Sequence, residues 1–384
     1  MKLVFITNLI HHHQIPLADE FYKILGDGYK YITTERMPQF LVTGGYSEYI
    51  EKPYLIRLEE SVENNSYVQD LINKADVVII GAASDDYVLD RIKAGKLTFR
   101  YSERWFKNSP WYQTGLRGWL SFYKKHIRYK NKPLYMLAAS AYTANDVYAI
   151  GAYKNKCYKW GYFTKVDTDF KVETPQDLGI STSKIIPLMW CARFLKWKHP
   201  ELPILIAKRL KEDGYRFIID MFGSGEELEN SKALAKKMEV DDVVKFRGNL
   251  PNQEILNEMR QHKIFLFTSD KNEGWGAVLN ESMANGCAVV ASNLIGSVPF
   301  LVQDRKNGLI FQSEDIDSLY QKVKSLLDNE ELCKILSQNA QRTMQEIWSP
   351  QNAAIRFLHL VEALQNGDDT PFLDGPCSKA LPTK

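Results

Sequence analysis

Cysteine is scarce in this chain of 384 residues. Its five copies (Cys157, Cys191, Cys287, Cys333 and Cys377) are scattered and form no Cys-x-x-Cys pair. That pattern excludes a disulfide framework and a cysteine-built zinc site, and it fits a reducing, cytoplasmic compartment. Long apolar runs are missing too. No window approaches the about 18 uncharged apolar residues of a membrane-spanning helix. The opening MKLVFITNLIHHHQ has no cleavage-site pattern and reads as a first strand. Neither charge sign is in excess: 49 Lys+Arg and 47 Asp+Glu leave +2, so overall charge gives no argument for nucleic acid. Low-complexity tracts are absent, and no repeat exists beyond two similar halves.

What remains is ordinary globular material, 45% apolar and 25% charged, enough for two domains. In the second half, IIPLMWCA (185–192), RFIIDMFG (216–223), VVKFRG (243–248), KIFLFTS (263–269), CAVVAS (287–292) and GLIF (308–311) are short β-branched or aromatic runs. Amphipathic stretches such as 203–214, 227–238 and 252–261 separate them. Buried strands alternating with helices predict an α/β, doubly wound parallel sheet. The first half repeats the pattern less cleanly, with strands at 2–8, 75–81 and 133–140 and a helix over 17–25. An acidic, proline-bearing stretch before residue 184 reads as a linker. The expected domains are therefore 1–183 and 184–350. A helix follows over 351–365, with Ser349-Pro350 as its N-cap and N1 pair. The proline- and glycine-bearing tail 366–384 is expected to be loosely ordered, with packing of PFLDGPC as the alternative.

The stretch NEGWGAVLNESMANG carries the chemistry. A strand ends near Ser269, a glycine-containing loop follows, and a helix starts near Ala277. Gly274 and Gly276 allow the backbone to approach a ligand, and the new helix offers unpaired amides and a positive dipole end, a ready phosphate site. Glu273 precedes those amides and Glu281 lies about one turn into the helix. A carboxylate accepts hydrogen bonds from adjacent hydroxyls, so the two acids suit a ligand ordered sugar, phosphate, sugar. Arg193 and Lys198, after the strand at 185–192, could neutralise a diphosphate. FGSGEE (222–227) is a second glycine turn at a strand end. The same residues also admit a plainer reading, in which Glu273 favours a helix dipole and the cations are surface charge.

These motifs resemble the C-terminal domain of the retaining GT-B glycosyltransferases, the large family 4 of bacterial cell-surface glycan assembly. Its E-x7-E motif is met by Glu273 and Glu281, and its Arg/Lys loop by Arg193 and Lys198. FGSGEE matches the glycine turn with Gly223, and FRGNL (246–250) the base-side loop with Asn249 and Leu250. The resemblance implies two Rossmann-like domains facing across a cleft, with the C-terminal helix crossing back to the N-terminal, acceptor-binding domain. It further implies a UDP- or GDP-sugar donor and transfer with retention. Glu281 would hold the ribose and Glu273 the transferred sugar. Arg193, Lys198 and the amides of Gly274, Trp275, Gly276, Ala277 and Val278 would hold the diphosphate, with no cofactor or metal. The chain departs from the pattern at Ala192 and His199, where relatives commonly carry Gly, and after the first strand, where Asn8 and His11–Gln14 replace glycines.

Three neighbouring histidines point in different directions and rarely chelate one ion. The reading instead gives Asn8, His12 and His13 a donor or acceptor contact, with loop solvation as the alternative. Residues 96–132 hold ten Lys or Arg against Glu103 alone, and ten aromatics. Within 116–130, Leu116, Trp119, Leu120, Tyr123 and Ile127 share a helical face, while Arg117, Lys124 and Arg128 occupy the other. A basic amphipathic helix of this kind suits an anionic membrane surface and a lipid-linked acceptor. It suits equally a helix packed on its own core; no other feature speaks for nucleic acid. A nucleotide-sugar epimerase and a non-catalytic scaffold of the same fold stay open as alternatives to the transferase.

Overall fold

The computed structural model describes residues 1–38, 50–58, 64–107, 115–170 and 185–383. Two compact units result: residues 1–165 together with 348–384, and residues 166–347. The first unit is therefore discontinuous in sequence. Most of the predicted linker, residues 171–184, lies outside the described residues.

The first unit is built on seven strands: β1 (Leu3–Thr7), β2 (Tyr29–Thr33), β3 (Leu55–Arg57), β4 (Val77–Ile80), β5 (Thr98–Ser102), β6 (Leu134–Ala138) and β7 (Cys157–Lys159). They form one sheet in the order β3-β2-β1-β4-β5-β6-β7, every pair parallel. LVFIT of β1 and VVII of β4 are buried at every position, as central strands covered on both faces must be. The sequence reading finds β1, β4 and β6 but not β2, β3, β5 or β7.

The C-terminal helix Pro350–Gln365 belongs to this first unit and packs on the helix Ile15–Leu25. Ser349 caps it, its side chain accepting from the Asn352 amide at 3.2 Å. Phe357 is its anchor, with its ring centroid 5.6 Å from Phe21, 5.0 Å from Phe99 and 5.6 Å from Trp160. The tail is not loosely ordered but packs, the alternative that PFLDGPC left open. Lys159 donates its amide to Ser378 O at 2.7 Å, and Cys377 and Ala380 donate to Lys159 O and Cys157 O at 2.8 and 3.0 Å. The tail thus covers the open edge of β7, an edge that would otherwise present unpaired backbone groups.

The second unit has the six strands the sequence predicts: β8 (Ile186–Cys191), β9 (Phe217–Phe222), β10 (Val244–Gly248), β11 (Ile264–Phe267), β12 (Ala288–Ser292) and β13 (Leu309–Phe311). Their order is β10-β9-β8-β11-β12-β13, all parallel. Leu188, Ile219, Ile264 and Val290 are among the fully buried residues at the centre of its core. Strand order reverses between β8 and β11. In a doubly wound sheet that switch point opens a crevice at the carboxyl ends of the strands, where ligands bind. Among the described residues, no helix is long and apolar enough to cross a membrane.

Candidate functional site

Every sequence-predicted donor residue follows the carboxyl end of a strand in the second unit. Arg193 and Lys198 follow β8, Gly223 follows β9, Asn249 and Leu250 follow β10, and the Glu273–Glu281 segment follows β11. Since β8 and β11 are neighbours, the two cations and Glu273 stand on either side of the switch point. The structure joins them directly. Lys198 Nζ donates to Glu273 Oε2, and both side chains are buried. Ser269 Oγ donates to the same oxygen at 3.0 Å.

The loop carrying Lys198 is fastened to the sheet by a chain of hydrogen bonds. Trp190 Nε1 donates to Thr268 Oγ1 at 2.8 Å, and that hydroxyl donates to Lys198 O at 2.7 Å. Lys198 Nζ also lies 4.2 Å from the centroid of the Trp197 ring. Arg193 differs: it is exposed, and its guanidinium makes no hydrogen bond or ion pair among the described residues. One cation is held in reserve by a carboxylate and one is open.

Two glycines are required by close approach. Gly276 has φ +83, and a Cβ there would lie 2.3 Å from the Phe267 ring. A side chain would push the turn off the strand end and misplace the helix Ala277–Ala284. Ala277 and Val278 begin that helix, so their N–H groups have no acceptor one turn back within it. Gly223 has φ +129, and a Cβ would meet Ala192 O at 2.0 Å. Its role is thus to let the loop after β9 press against the one carrying Arg193. There, Phe194 donates its amide to Ser224 O at 2.8 Å. Trp275, read as a donor contact, is fully buried and donates Nε1 to Asn280 at 2.9 Å, which leaves only its backbone for a ligand.

Glu281 is buried, and its Oε1 accepts from Asn252 Nδ2 at 3.0 Å. Asn249, three residues before Asn252, is exposed and donates Nδ2 to Ser224 Oγ at 2.8 Å. Burial, with Glu281 nearby, pushes the Cys191 thiol up to about 12, leaving it inert as a nucleophile. Sequence reasoning missed Ser269, Asn252 and Thr268, whose types are too common in loops to stand out. It also missed why His199 tolerates a glycine position. His199 sits in the left-handed region at φ +51, and its Nδ1 lies 2.8 Å from Glu201 Oε1 and its Nε2 3.5 Å from Asp270 Oδ2. The hydrogen bond with Glu201 raises its pKa above 6.5 against an opposing effect of burial.

In the first unit, Asn8 and His11 line a pocket of ≈ 560 Å³ at the carboxyl ends of β1, β4 and β5. His12 and His13 lie in the turn before the helix Ile15–Leu25, their ring centroids 3.9 Å apart. Burial pushes the His11 imidazole down to about 3, with His13 and His12 adding to the effect, so it is neutral near pH 7. The basic aromatic segment forms the helix Gly115–Lys125, followed by a 3-10 turn at Ile127–Tyr129 in place of one continuous helix. Its apolar stripe faces outward: Leu116, Trp119, Leu120 and Tyr123 are 75%, 43%, 40% and 44% exposed. The Trp119 and Tyr123 rings stack, while Lys124 and Arg128 are exposed beside them. Among the described residues, this stripe is therefore not packed into the core. Residues 108–114 of the segment lie outside the described residues.

Residues 171–343 match the family model for Glycosyl transferases group 1. Among curated proteins, an uncharacterized glycosyltransferase of Methanocaldococcus jannaschii, MJ1069, is 26% identical over 185 residues, 47% of this chain and 46% of that protein. The N-acetylgalactosamine-N,N'-diacetylbacillosaminyl-diphospho-undecaprenol 4-alpha-N-acetylgalactosaminyltransferase of Campylobacter jejuni is 30% identical over 165 residues, 43% of each chain. The chain spans less than half the length of these relatives. Among solved structures, Anabaena Alr3699/HepE in complex with UDP superimposes with a TM-score of 0.66 at 15% identity, over 95% of this chain and 100% of that one. Fold, family model and relatives together support the group 1 glycosyltransferases, of GT-B type, as the family this chain resembles.

Proposed function

We propose that this protein transfers a sugar from a UDP- or GDP-sugar to a saccharide or lipid-linked acceptor, with retention of anomeric configuration, in the assembly of a cell-surface polysaccharide or glycolipid. One observation carries the reading. A buried Lys198–Glu273 pair, an Arg193 with no partner among the described residues and the Gly274–Val278 turn follow the carboxyl ends of two adjacent strands at the switch point of one sheet. UDP in HepE and a diphospho-undecaprenol acceptor in the name of the Campylobacter enzyme agree with it.

On this reading the diphosphate takes over Lys198 and meets Arg193 and the amides of Ala277 and Val278. Glu273, released from its cation, then accepts hydrogen bonds from hydroxyls of the transferred sugar, and Glu281 accepts those of the ribose. Gly223, Asn249 and Leu250 line the base side. With donor bound, Glu273 is committed to Ser269 and the sugar hydroxyls, so on this reading the donor phosphate itself takes the acceptor's proton as the glycosidic bond breaks. The protein contributes position and charge, which supply much of a rate enhancement of this kind. Arg193, Lys198 and the helix dipole perform the neutralisation a divalent ion would otherwise give, so no metal is needed. The first unit carries the acceptor, with Asn8, His12 and His13 near it. The stripe of Leu116, Trp119, Leu120 and Tyr123, flanked by Lys124 and Arg128, rests on the anionic inner face of the cell membrane.

Thermal-shift screening against UDP-, GDP- and ADP-sugars tests the donor half. One nucleotide should stabilise the wild type and fail to stabilise Arg193→Ala, and turnover should survive EDTA. No shift with any nucleotide, or an activity that EDTA abolishes and Mg²⁺ restores, would refute the corresponding part.

A further inference from the structure

Beside the donor loops, the second unit gathers a histidine and three carboxylates that no motif announces. His199 follows Lys198 in the loop after β8, Asp270 follows Ser269 after β11, and Glu314 follows β13. Asp270 donates its amide to Trp197 O and accepts the Glu273 amide at its own carbonyl, each at 3.1 Å, so its place is tied to both donor loops. His199, Asp270 and Glu314 each bring one ligand atom within 4.8 Å of the other two. His199 and Glu314 both lie in the left-handed region, at φ +51 and +63, where glycine is the residue of least strain. Each therefore presents its side chain at a conformational cost.

The two ring nitrogens of His199 have different surroundings. Nδ1 lies 2.8 Å from Glu201 Oε1, and a carboxylate only accepts, so Nδ1 carries a proton and donates it there. Nε2 is buried and has no hydrogen-bond partner. Asp270 Oδ2 is 3.5 Å from it. Asn272 fixes that carboxylate, donating its amide to Oδ1 at 2.7 Å and its Nδ2 to Oδ2 at 3.2 Å. Neither Asp270 nor Glu314 pairs with a lysine or arginine among the described residues. A ring nitrogen facing two such carboxylates calls for a cation between them. A proton on Nε2 fills the gap poorly, because 3.5 Å exceeds the reach of about 3.2 Å of an N–H···O bond. A tetrahedral metal with bonds of about 2.0–2.2 Å sets its ligands about 3.3–3.6 Å apart. The observed separation is one edge of such a tetrahedron.

We propose that His199 Nε2, Asp270 and Glu314 form a divalent metal site of zinc type that joins the loops after β8, β11 and β13. One imidazole with two carboxylates suits zinc or manganese, whereas calcium and magnesium favour oxygen alone. Three protein ligands leave the fourth position of the tetrahedron to water. Glu201 is the outer partner that orients the ring, as an acceptor on the far nitrogen of a metal-bound imidazole does. The ion acts as a brace: Lys198 and Glu273 are bonded to each other, and neither is among its ligands. The site stands apart from the transferase reading, and turnover that survives EDTA is compatible with it.

Calorimetry on the full chain, treated with EDTA and desalted, tests the site with zinc, manganese, magnesium and calcium ions alone. One equivalent of zinc should bind, at least about tenfold more tightly than magnesium or calcium. His199→Gln and Glu314→Gln should each weaken zinc by about tenfold or more, since even an outer partner of a ligand is worth that factor. Glu314 is exposed, so Glu314→Gln decides the matter should His199→Gln fail to fold. Zinc should raise the thermal midpoint of the wild type and leave that of Glu314→Gln in place. The double variant His12→Gln/His13→Gln, which removes the adjacent histidines of the first unit, should keep the zinc equivalent. A missing zinc isotherm, an affinity indifferent to Glu314→Gln, loss of the equivalent with His12 and His13, or a preference for calcium overturns the inference. Failure of every nucleotide to bind refutes the donor reading and leaves the zinc result to stand or fall by itself.

Discussion

Replacing Glu273 by Gln tests the donor site most sharply, because one atom exchange should separate stability from ligand binding. The Glu273 and Lys198 side chains are each only 11% exposed. Removing one partner of a buried pair strands the other charge, at a typical cost of about 3–5 kcal/mol. Glutamine keeps the shape and an oxygen for the Ser269 hydroxyl, so the lower end applies, about 3 kcal/mol. For a unit of the size of residues 166–347, that lowers the thermal midpoint by about 6–12 °C.

UDP should then act differently on the two proteins. In the wild type its diphosphate competes with Glu273 for the ammonium; in Glu273→Gln the ammonium has no competing carboxylate. The variant should bind UDP at least as tightly, and the gap in midpoint should narrow as UDP is added. Turnover should still fall by about 10²-fold or more, since the hydroxyl acceptor is weakened. The double variant Glu273→Gln/Lys198→Met closes the cycle. Replacing both charges with uncharged side chains is near neutral for stability, so the midpoint should recover while UDP affinity drops. Differential scanning fluorimetry with a UDP titration reads all of this. A Glu273→Gln midpoint equal to the wild type's, or a variant that loses UDP affinity while Lys198 stays in place, would refute the proposed exchange of partners.

Three further outcomes are expected. Gly276→Ala should cost about 2–4 kcal/mol in urea unfolding, from a left-handed φ and overlap with the Phe267 ring; wild-type stability would show that the turn gives way freely. His199 has a folded pKa raised above 6.5, so its ion pairs stabilise fully below that value, and the contribution is lost as pH rises through the folded pKa. The stability difference between wild type and His199→Gln should therefore shrink as pH rises above 6.5 and through the folded pKa, and a difference independent of pH would contradict the role given to Glu201. For the outward stripe, Trp119→Ala with Lys124→Glu should weaken flotation with anionic vesicles by about 100-fold, since each charge near the surface contributes about 1 kcal/mol and the indole adds a similar amount; unchanged flotation would retire the membrane contact.

The second unit was readable because its strands are uninterrupted apolar runs between turn residues, and all six appear where the pattern puts them. The first unit hides four strands for identifiable reasons. TFRYS of β5 contains Arg100, which periodicity alone treats as exposed, yet the Asp85 carboxylate and a backbone carbonyl let it be buried. YKYIT of β2 is broken by Lys30, and β3 and β7 have three residues each, too few to establish a period. The tail was misjudged because proline and glycine argue only against its own helix or strand. They say nothing of an edge at β7 waiting to be covered.

The two candidate sites differ in the same way, and the reason lies in what each must hold. A diphosphate is gripped by backbone amides and by cations at fixed distances from them. That demands glycines where Cβ atoms would collide and residues at set spacing along one segment, so the demand is written contiguously: Glu273, Gly274, Gly276 and Glu281 fall within nine positions. The first-unit pocket is assembled from single side chains on β5, the loop after β4 and the helix Gly115–Lys125, residues 85 to 126 meeting only through the fold. No spacing rule binds Asp85 to Arg100 and Lys125, because each is positioned by a different element. Such a pocket can change its exposed side chains one at a time, while the buried Asp85–Arg100 pair has to change together. If a GT-B chain keeps its donor and varies its acceptor, the variation should concentrate at Asp85, Arg100, Trp105, Phe122 and Lys125, while Gly276 and Glu281 stay fixed. Exchanging Lys125 should therefore shift acceptor preference without altering the donor Kd, and a change in both would show that the two sites are not separately encoded.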